Sequence, residues 1–303
     1  MLRNGGSERL IVDGGYRGQQ ETGGIMTERN VEGSAVVMIG GRTPGSIGRT
    51  IAERLVLEGM HVYRLDLPGR EEDLDPGNIS EYTLSGGGTI ELTNMRSESL
   101  LNVVMSDARW NGDIIQGVVY AAGYNELCSV ACSGFDRVFQ KSMQVNALGP
   151  LRVAGTLVQQ LAIQEQYTGS DSDWIVRPLK LLVLGSNTAY VAKTRSAAYA
   201  ASKAALVQGL RCVHREHAKD GLHCTTLDFG LVMDTRMTQR TIEQLGETRG
   251  WTPEEAKHKM LQNVPTGEPV TRAEVADWVW FLLTHDTSAG GCSIRFDGGQ
   301  QQG

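Results

Sequence analysis

The chain has 303 residues, a formal net charge of −6, 40% hydrophobic residues and 21% charged ones. That length supports one large α/β domain with a substantial core, and the acidic balance offers no basic face to nucleic acid or an anionic membrane. No apolar run approaches the roughly 20 residues of a membrane span. Residues 1–6 contain no apolar signal core, and five cysteines (Cys128, Cys132, Cys212, Cys224, Cys292) without metal-type spacing read as reduced thiols of a cytoplasmic protein.

In chain order, Leu10-Ile-Val-Asp13-Gly14-Gly15 echoes Ile294-Arg-Phe-Asp297-Gly298-Gly299. The echo is either chance in a glycine-rich chain or the closing strand of an upstream homologous module. In the second case residues 1–33 are an N-terminal extension and linker, and Met26 is the natural start of a single domain over 34–303. From residue 34 short apolar runs alternate with amphipathic stretches. Strands are predicted over 35–39, 61–65, 89–92, 115–121, 180–184, 223–227 and 292–296, and helices over 49–58, 135–166, 197–219 and 272–283. The continuous Val/Ile/Leu runs suit strands buried on both faces. The alternation predicts right-handed crossovers and a doubly wound, Rossmann-type parallel α/β sheet of about seven strands. Residues 167–178 read as a polar loop. Residues 233–268 interrupt the pattern after the sixth strand's carboxyl end, where such sheets bind ligands, and are a candidate substrate lid.

The first strand runs into Gly40-Gly41-Arg42-Thr43-Pro44-Gly45-Ser46-Ile47-Gly48 and then a helix. Such a turn aims backbone N–H groups and the positive end of the helix dipole at a phosphate, and glycines allow a dinucleotide to approach closely. The second strand ends in Asp66, a carboxylate suited to the ribose diol of NAD(H) and repulsive to a 2′-phosphate. Arg42, Arg64 and Arg70 pull toward NADP(H), which is left as the alternative.

Tyr199 and Lys203 stand four apart on a predicted helix and so share a face. An ammonium there is expected to pull the phenol's pKa down from about 10 toward the working range. Ser186, thirteen residues upstream, can hold a carbonyl or alcohol oxygen beside them. His214 and His217 read as a solvated helix end, and Tyr124, Asn187 and Tyr190 as either substrate contacts or loop packing.

Together these motifs resemble the short-chain dehydrogenase/reductase family over residues 34–300. Gly40, Gly41, Gly45, Ser46, Ile47 and Gly48 are similar to its pyrophosphate-binding turn, although Ile39 replaces the usual threonine and the Gly40-x5-Ser46-Ile47 spacing resembles the variant loop of enoyl-acyl carrier protein reductases. The three-residue gap between Tyr199 and Lys203 sides with carbonyl and alcohol members. Glu91 and Leu92 resemble the segment that contacts adenine. Tyr120-Ala121-Ala122-Gly123 resembles N-N-A-G without its asparagines, and Gly230, Val232 and Thr235 resemble the P-G-x-V-x-T motif near the nicotinamide, with Phe229 for the proline. The resemblance implies Asn146, Ser186, Tyr199 and Lys203 as a catalytic tetrad. In it Lys203 also binds the nicotinamide ribose, and Asn146 uses its side chain or a free carbonyl to hold a water that links Lys203 to solvent. It also implies a small-molecule alcohol or ketone substrate, and assembly as a homodimer or homotetramer. An enoyl-reductase-like activity and a catalytically quiet dinucleotide sensor are the alternatives.

Overall fold

The computed structural model describes residue 31 and residues 34–66, 79–83, 95–166 and 174–300. The echo at 10–15, all of the expected extension except Val31, and the strand expected at 89–92 lie outside the described residues, as do Arg70, Glu91 and Leu92. The strands are Ser34–Ile39 (β1), His61–Asp66 (β2), Ile79–Thr83 (β3), Ile114–Tyr120 (β4), Ile175–Leu184 (β5), Leu222–Phe229 (β6) and Ser293–Phe296 (β7). They form one seven-stranded sheet of order β3-β2-β1-β4-β5-β6-β7, parallel throughout. The order reverses between β1 and β4, which opens a crevice at their carboxyl ends.

Each strand of the centre buries both faces. Ala35, Val37 and Ile39 of β1 pack with residues of helices Met95–Trp110 (α2), Gly149–Gln166 (α4) and Ala197–His217 (α5). Val36 and Met38 pack the other way, against Ile47–Leu57 (α1) and Arg272–Thr284 (α8). At about 2 kcal/mol for each buried aliphatic side chain, this two-sided core holds the carboxyl edge rigid, so polar residues can gather there.

One strand was not expected, and two expectations need correction. The strand beside β2 is 79–83, whose Ile-Ser-Glu-Tyr-Thr sequence is too polar to read as a buried strand but suits a sheet edge. β5 begins at Ile175, not 180, because Trp174 and Ile175 are buried and the Arg109 guanidinium lies 4.0 Å from the Trp174 ring centroid. The single helix expected over 135–166 is interrupted: Phe135–Met143 (α3) and α4 are joined by a π-helical turn, Gln144–Leu148. Buried Tyr120 explains the break, since its hydroxyl donates to the Val145 carbonyl at 2.8 Å and a Cβ at Gly149 would fall on the phenol oxygen. Such single π turns concentrate at functional sites.

His214 also differs from its solvated reading. Its ring sits edge-on to His223 at 5.2 Å and its Nδ1 accepts from the Cys224 amide at 3.4 Å; burial pulls its pKa down.

Two helices, Arg236–Arg249 (α6) and Pro253–Leu261 (α7), fall within the stretch 233–268. Thr235 caps α6, Gly250 ends it at φ 70°, and Thr252 with Glu255 forms a capping box at the start of α7. The Thr266 amide then donates to the Gly298 carbonyl at 3.2 Å, which ties this excursion back to the end of β7. Among the described residues no helix is long and apolar enough to cross a membrane.

Candidate active site

A cleft of about 970 Å³ follows the carboxyl edge of the sheet, from Asp66 past the glycine turn to Tyr199 and on beneath α6 and α7. The turn between β1 and α1 is packed on itself. A Cβ at Gly41 would lie 2.7 Å from the Gly48 carbonyl carbon, and one at Gly40 would lie 2.9 Å from the Ala122 nitrogen. Both glycines have positive φ, at 105° and 89°, so only glycine satisfies conformation and space together. Ser46 caps α1 by accepting from the Arg49 amide at 3.1 Å. Asp66 fixes the turn from the neighbouring strand, its carboxylate accepting from the Arg42 amide at 2.6 Å.

Gly40, Gly41, Ser46, Ile47, Gly48, Asp66, Ala121, Ala122 and Gly123 line this end of the cleft. Arg42 and Gly45 belong to the turn without lining it, and Arg64 is 1% exposed within β2, so its position gives no cation to the cleft wall. The helix N-terminus, the glycines whose side-chain space is taken by backbone, and the carboxylate at the far end fit a dinucleotide in this cradle.

Ser186, Tyr199 and Lys203 come together at the other end. Ser186 follows β5 in an extended conformation, 2.5 Å by its hydroxyl from the Thr188 hydroxyl. Tyr199 and Lys203 project from the first turns of α5. Burial pushes the Tyr199 phenol up to about 12, a hydrogen bond from Ser186 opposes that rise, and the Asp228 charge adds to it. This corrects the expected downward shift: Lys203 points its ammonium at the Leu184 carbonyl, 2.7 Å away, and lies 5.8 Å from the Tyr199 ring centroid. Burial pulls Lys203 itself down to about 8, with Asp228 resisting.

Asn146 lies behind the cleft wall, in the π turn. Its amide nitrogen donates to the Tyr124 carbonyl at 2.8 Å and the Ser202 hydroxyl at 2.9 Å, and its oxygen accepts from the Tyr124 amide at 2.9 Å. The side chain is thus a brace between the loop after β4 and α5, and holding a water would fall to the main chain. Gly230, Val232 and Thr235 line the cleft after β6; a Cβ at Gly230 would crowd Asp297 at 2.9 Å, and Thr235 is occupied in capping α6. Tyr124 and Asn187 line the cleft as well, whereas Tyr190 turns behind it.

Asp228 was not singled out by the sequence motifs. It is fully buried, and its Oδ2 accepts from the Tyr190 hydroxyl at 2.9 Å and the Thr226 hydroxyl at 3.3 Å. Among the described residues its Oδ1 has no hydrogen-bond partner, and burial pushes its pKa up. An aspartate two residues before a glycine at a strand's carboxyl end was the available signal. Among the described residues no group of His, Cys, Asp and Glu is placed to hold a metal.

The family model described as enoyl-(acyl carrier protein) reductase matches residues 40–301. The chain is 30% identical over 122 residues to the vibriobactin-specific 2,3-dihydro-2,3-dihydroxybenzoate dehydrogenase of Vibrio cholerae, a match spanning 39% of this chain and 45% of that relative. It is 24% identical over 269 residues to the 2-(R)-hydroxypropyl-CoM dehydrogenase of Xanthobacter autotrophicus, covering 88% of this chain and 98% of the relative. Its fold is similar to that of sorbitol-6-phosphate 2-dehydrogenase from Erwinia amylovora, with a TM-score of 0.71 and 21% identity over 88% of this chain and 99% of that one.

Proposed function

Because the chain belongs to the short-chain dehydrogenase/reductase family, we propose that its cleft moves a hydride between a nicotinamide cofactor and the carbon of a secondary alcohol or ketone, with Tyr199 as the proton donor and acceptor. The protein is an oxidoreductase of CH–OH and C=O groups. The observation that carries the finer reading is the meeting of Ser186, Tyr199 and Lys203 on one wall of a cleft whose far end is a glycine turn held by Asp66.

The dinucleotide, when bound, supplies the hydride donor or acceptor. Gly40, Gly41, Ser46, Ile47 and Gly48 would cradle its pyrophosphate at the start of α1, and Lys203 its nicotinamide ribose. Asp66 favours NAD(H) over NADP(H), because a carboxylate accepts from a ribose diol and repels a 2′-phosphate. In reduction, Ser186 would donate to the substrate oxygen and Tyr199 would hand its proton to the developing alkoxide. A phenol held near 12 enters that step protonated, the form it needs. In oxidation the same hydroxyl must first give up its proton, so the ammonium of Lys203 matters most in that direction. Asn146 would keep the wall in register as a positioning residue, and α6 with α7 would act as the lid. Assembly as a homodimer or homotetramer through α4 and α5 belongs to the same reading.

The test is a panel of alcohols and ketones with each cofactor, followed by nicotinamide absorbance. Tyr199→Phe is expected to lower kcat by about 10²–10⁴-fold while cofactor affinity stays. A Tyr199→Phe enzyme that turns over like the wild type would overturn the assignment. The description of the matching family model favours one second reading, reduction of a carbon–carbon double bond, so the panel includes a 2-enoyl thioester.

A further inference from the structure

The residue after Ser186 sits in a hydrogen-bond chain that has a direction. Asn187 is 1% exposed. Its amide oxygen accepts from the Lys193 ammonium at 3.3 Å, and its nitrogen donates to the Gln300 side-chain oxygen at 2.6 Å and to Asp297 Oδ2 at 3.4 Å. The charged ends fix the sense of the chain. An ammonium can only donate and an ionised carboxylate can only accept, so Asn187 has one workable orientation, and Gln300 must turn its oxygen toward it. Tight turns bring the partners together. Asp297 Oδ1 accepts from the Gly299 amide at 3.0 Å, and positive φ at Gly298 and Gly299, 64° and 82°, bends the chain after β7 so that Gln300 reaches Asn187. On the other side the Asn187 carbonyl accepts from the Tyr190 and Val191 amides, both at 2.9 Å, which starts the turn that returns Lys193.

The chain engages its acceptors internally and offers donors. Asn187, Lys193 and Gln300 all line the cleft, to which Gln300 presents its amide nitrogen and Lys193 the remaining N–H groups of its ammonium. Lys193 as a residue is exposed, but its ammonium is the desolvated end: burial pulls its pKa down, with Asp297 resisting. Asp66, beyond the glycine turn, is the sole carboxylate among the described residues that line the cleft, so no acid on the wall near Ser186 opposes an anion. A neutral amide donor beside an ammonium matches the two oxygens of a carboxylate, and the charge strengthens both bonds. We propose that the substrate is an oxo acid or the corresponding hydroxy acid, its carboxylate received by Lys193 and Gln300 while Ser186 and Tyr199 hold the reacting oxygen. Because Asn187 directly follows Ser186, the carboxylate belongs to the skeleton near the reacting carbon and not to a remote handle. The inference rests on the hydride-transfer reading of the same cleft and deepens it to a substrate class.

The experiment sets three oxo acids against their methyl esters: 2-oxobutanoate, 3-oxobutanoate and 4-oxopentanoate, each with NADH and NADPH. The wild type is expected to favour at least one acid over its ester by about ten-fold or more in kcat/KM. The chain length that responds gives the spacing between the carboxylate and the reacting carbon. Gln300→Glu keeps an acceptor for Asn187 but replaces the free donor with a second carboxylate, and Lys193→Gln removes the ammonium. In each variant the preference for the acid should collapse, chiefly through KM, while the ester's kcat/KM and the NADH affinity hold. Turnover of other ketones without a preference for any of the acids overturns the proposal. So does a preference that either variant retains, including one that slows acid and ester alike. If no alcohol or ketone is turned over at all, the hydride-transfer reading fails separately. Calorimetric titration of the NAD⁺-loaded protein with the three acids then decides the carboxylate site. Saturable binding of one acid that Gln300→Glu abolishes supports it; binding of none, or binding that the variant leaves unchanged, overturns it.

Discussion

The carboxylate of Asp228 occupies the side-chain slot of Gly185: a Cβ built on that glycine would fall on Asp228 Oδ1. Gly185 stands between Leu184, whose carbonyl anchors Lys203, and Ser186. A buried carboxylate on β6 therefore backs the three-residue stretch that carries two elements of the site.

This relationship predicts a steric coupling. Gly185→Ala is expected to cost about 1–3 kcal/mol, the range for overpacking a filled interior. In an Asp228→Ala background the same change should cost less, though the Leu227 carbonyl oxygen, 3.1 Å from the added Cβ, still crowds it. Denaturant unfolding of the four proteins measures the coupling. Strict additivity would mean that the two residues do not share the space.

Asp228 also predicts a pH effect. Its negative charge raises both the Tyr199 and the Lys203 pKa. Asp228→Asn removes that charge while keeping shape and an acceptor for Tyr190, so both groups should titrate at lower pH. The limbs of the kcat/KM profile that these groups govern move toward acid. A profile that stays in place, or moves toward alkali, contradicts the electrostatic link.

Asn146→Ala removes three hydrogen bonds and leaves Tyr124 backbone groups without partners. A loss of about 2–3 kcal/mol follows from the usual cost of stranding buried polar groups. Thermal unfolding reads it directly. Ser202→Ala should reproduce only part of the loss, since it touches one of the three bonds.

Asp66→Asn keeps an acceptor for the Arg42 amide, 2.6 Å away in the wild type, but removes the charge. The ratio of kcat/KM for NADP(H) over NAD(H) should rise by about ten-fold or more, as expected when a like-charge contact is relieved. Steady-state kinetics with both cofactors checks this; an unchanged ratio would remove Asp66 from the specificity argument.

Much of this was legible because it is local. The apolar runs in β1, β4 and the later part of β5 announce buried strands, and Gly40–Gly41 before Ser46–Gly48 announces a turn into a helix. Tyr199 and Lys203 share a face by helical periodicity alone. β3 was missed because an edge strand need not be apolar, and the start of β5 because a polar stretch precedes it.

By itself the sequence determined the layered α/β class, the order of most elements and the residue types available at the carboxyl edge, since periodicity and turn chemistry act over a few residues. Only the tertiary structure decided how those residues are used. Tyr120 pressing on Gly149 goes with the π turn that holds Asn146, and burial on several sides sends the Tyr199 phenol upward rather than down. The pairing of Asp228 with Gly185, and the brace from Asn146 to Tyr124 and Ser202, join segments far apart in the chain. Contacts of that kind are set by how packed elements meet, and no local pattern encodes them.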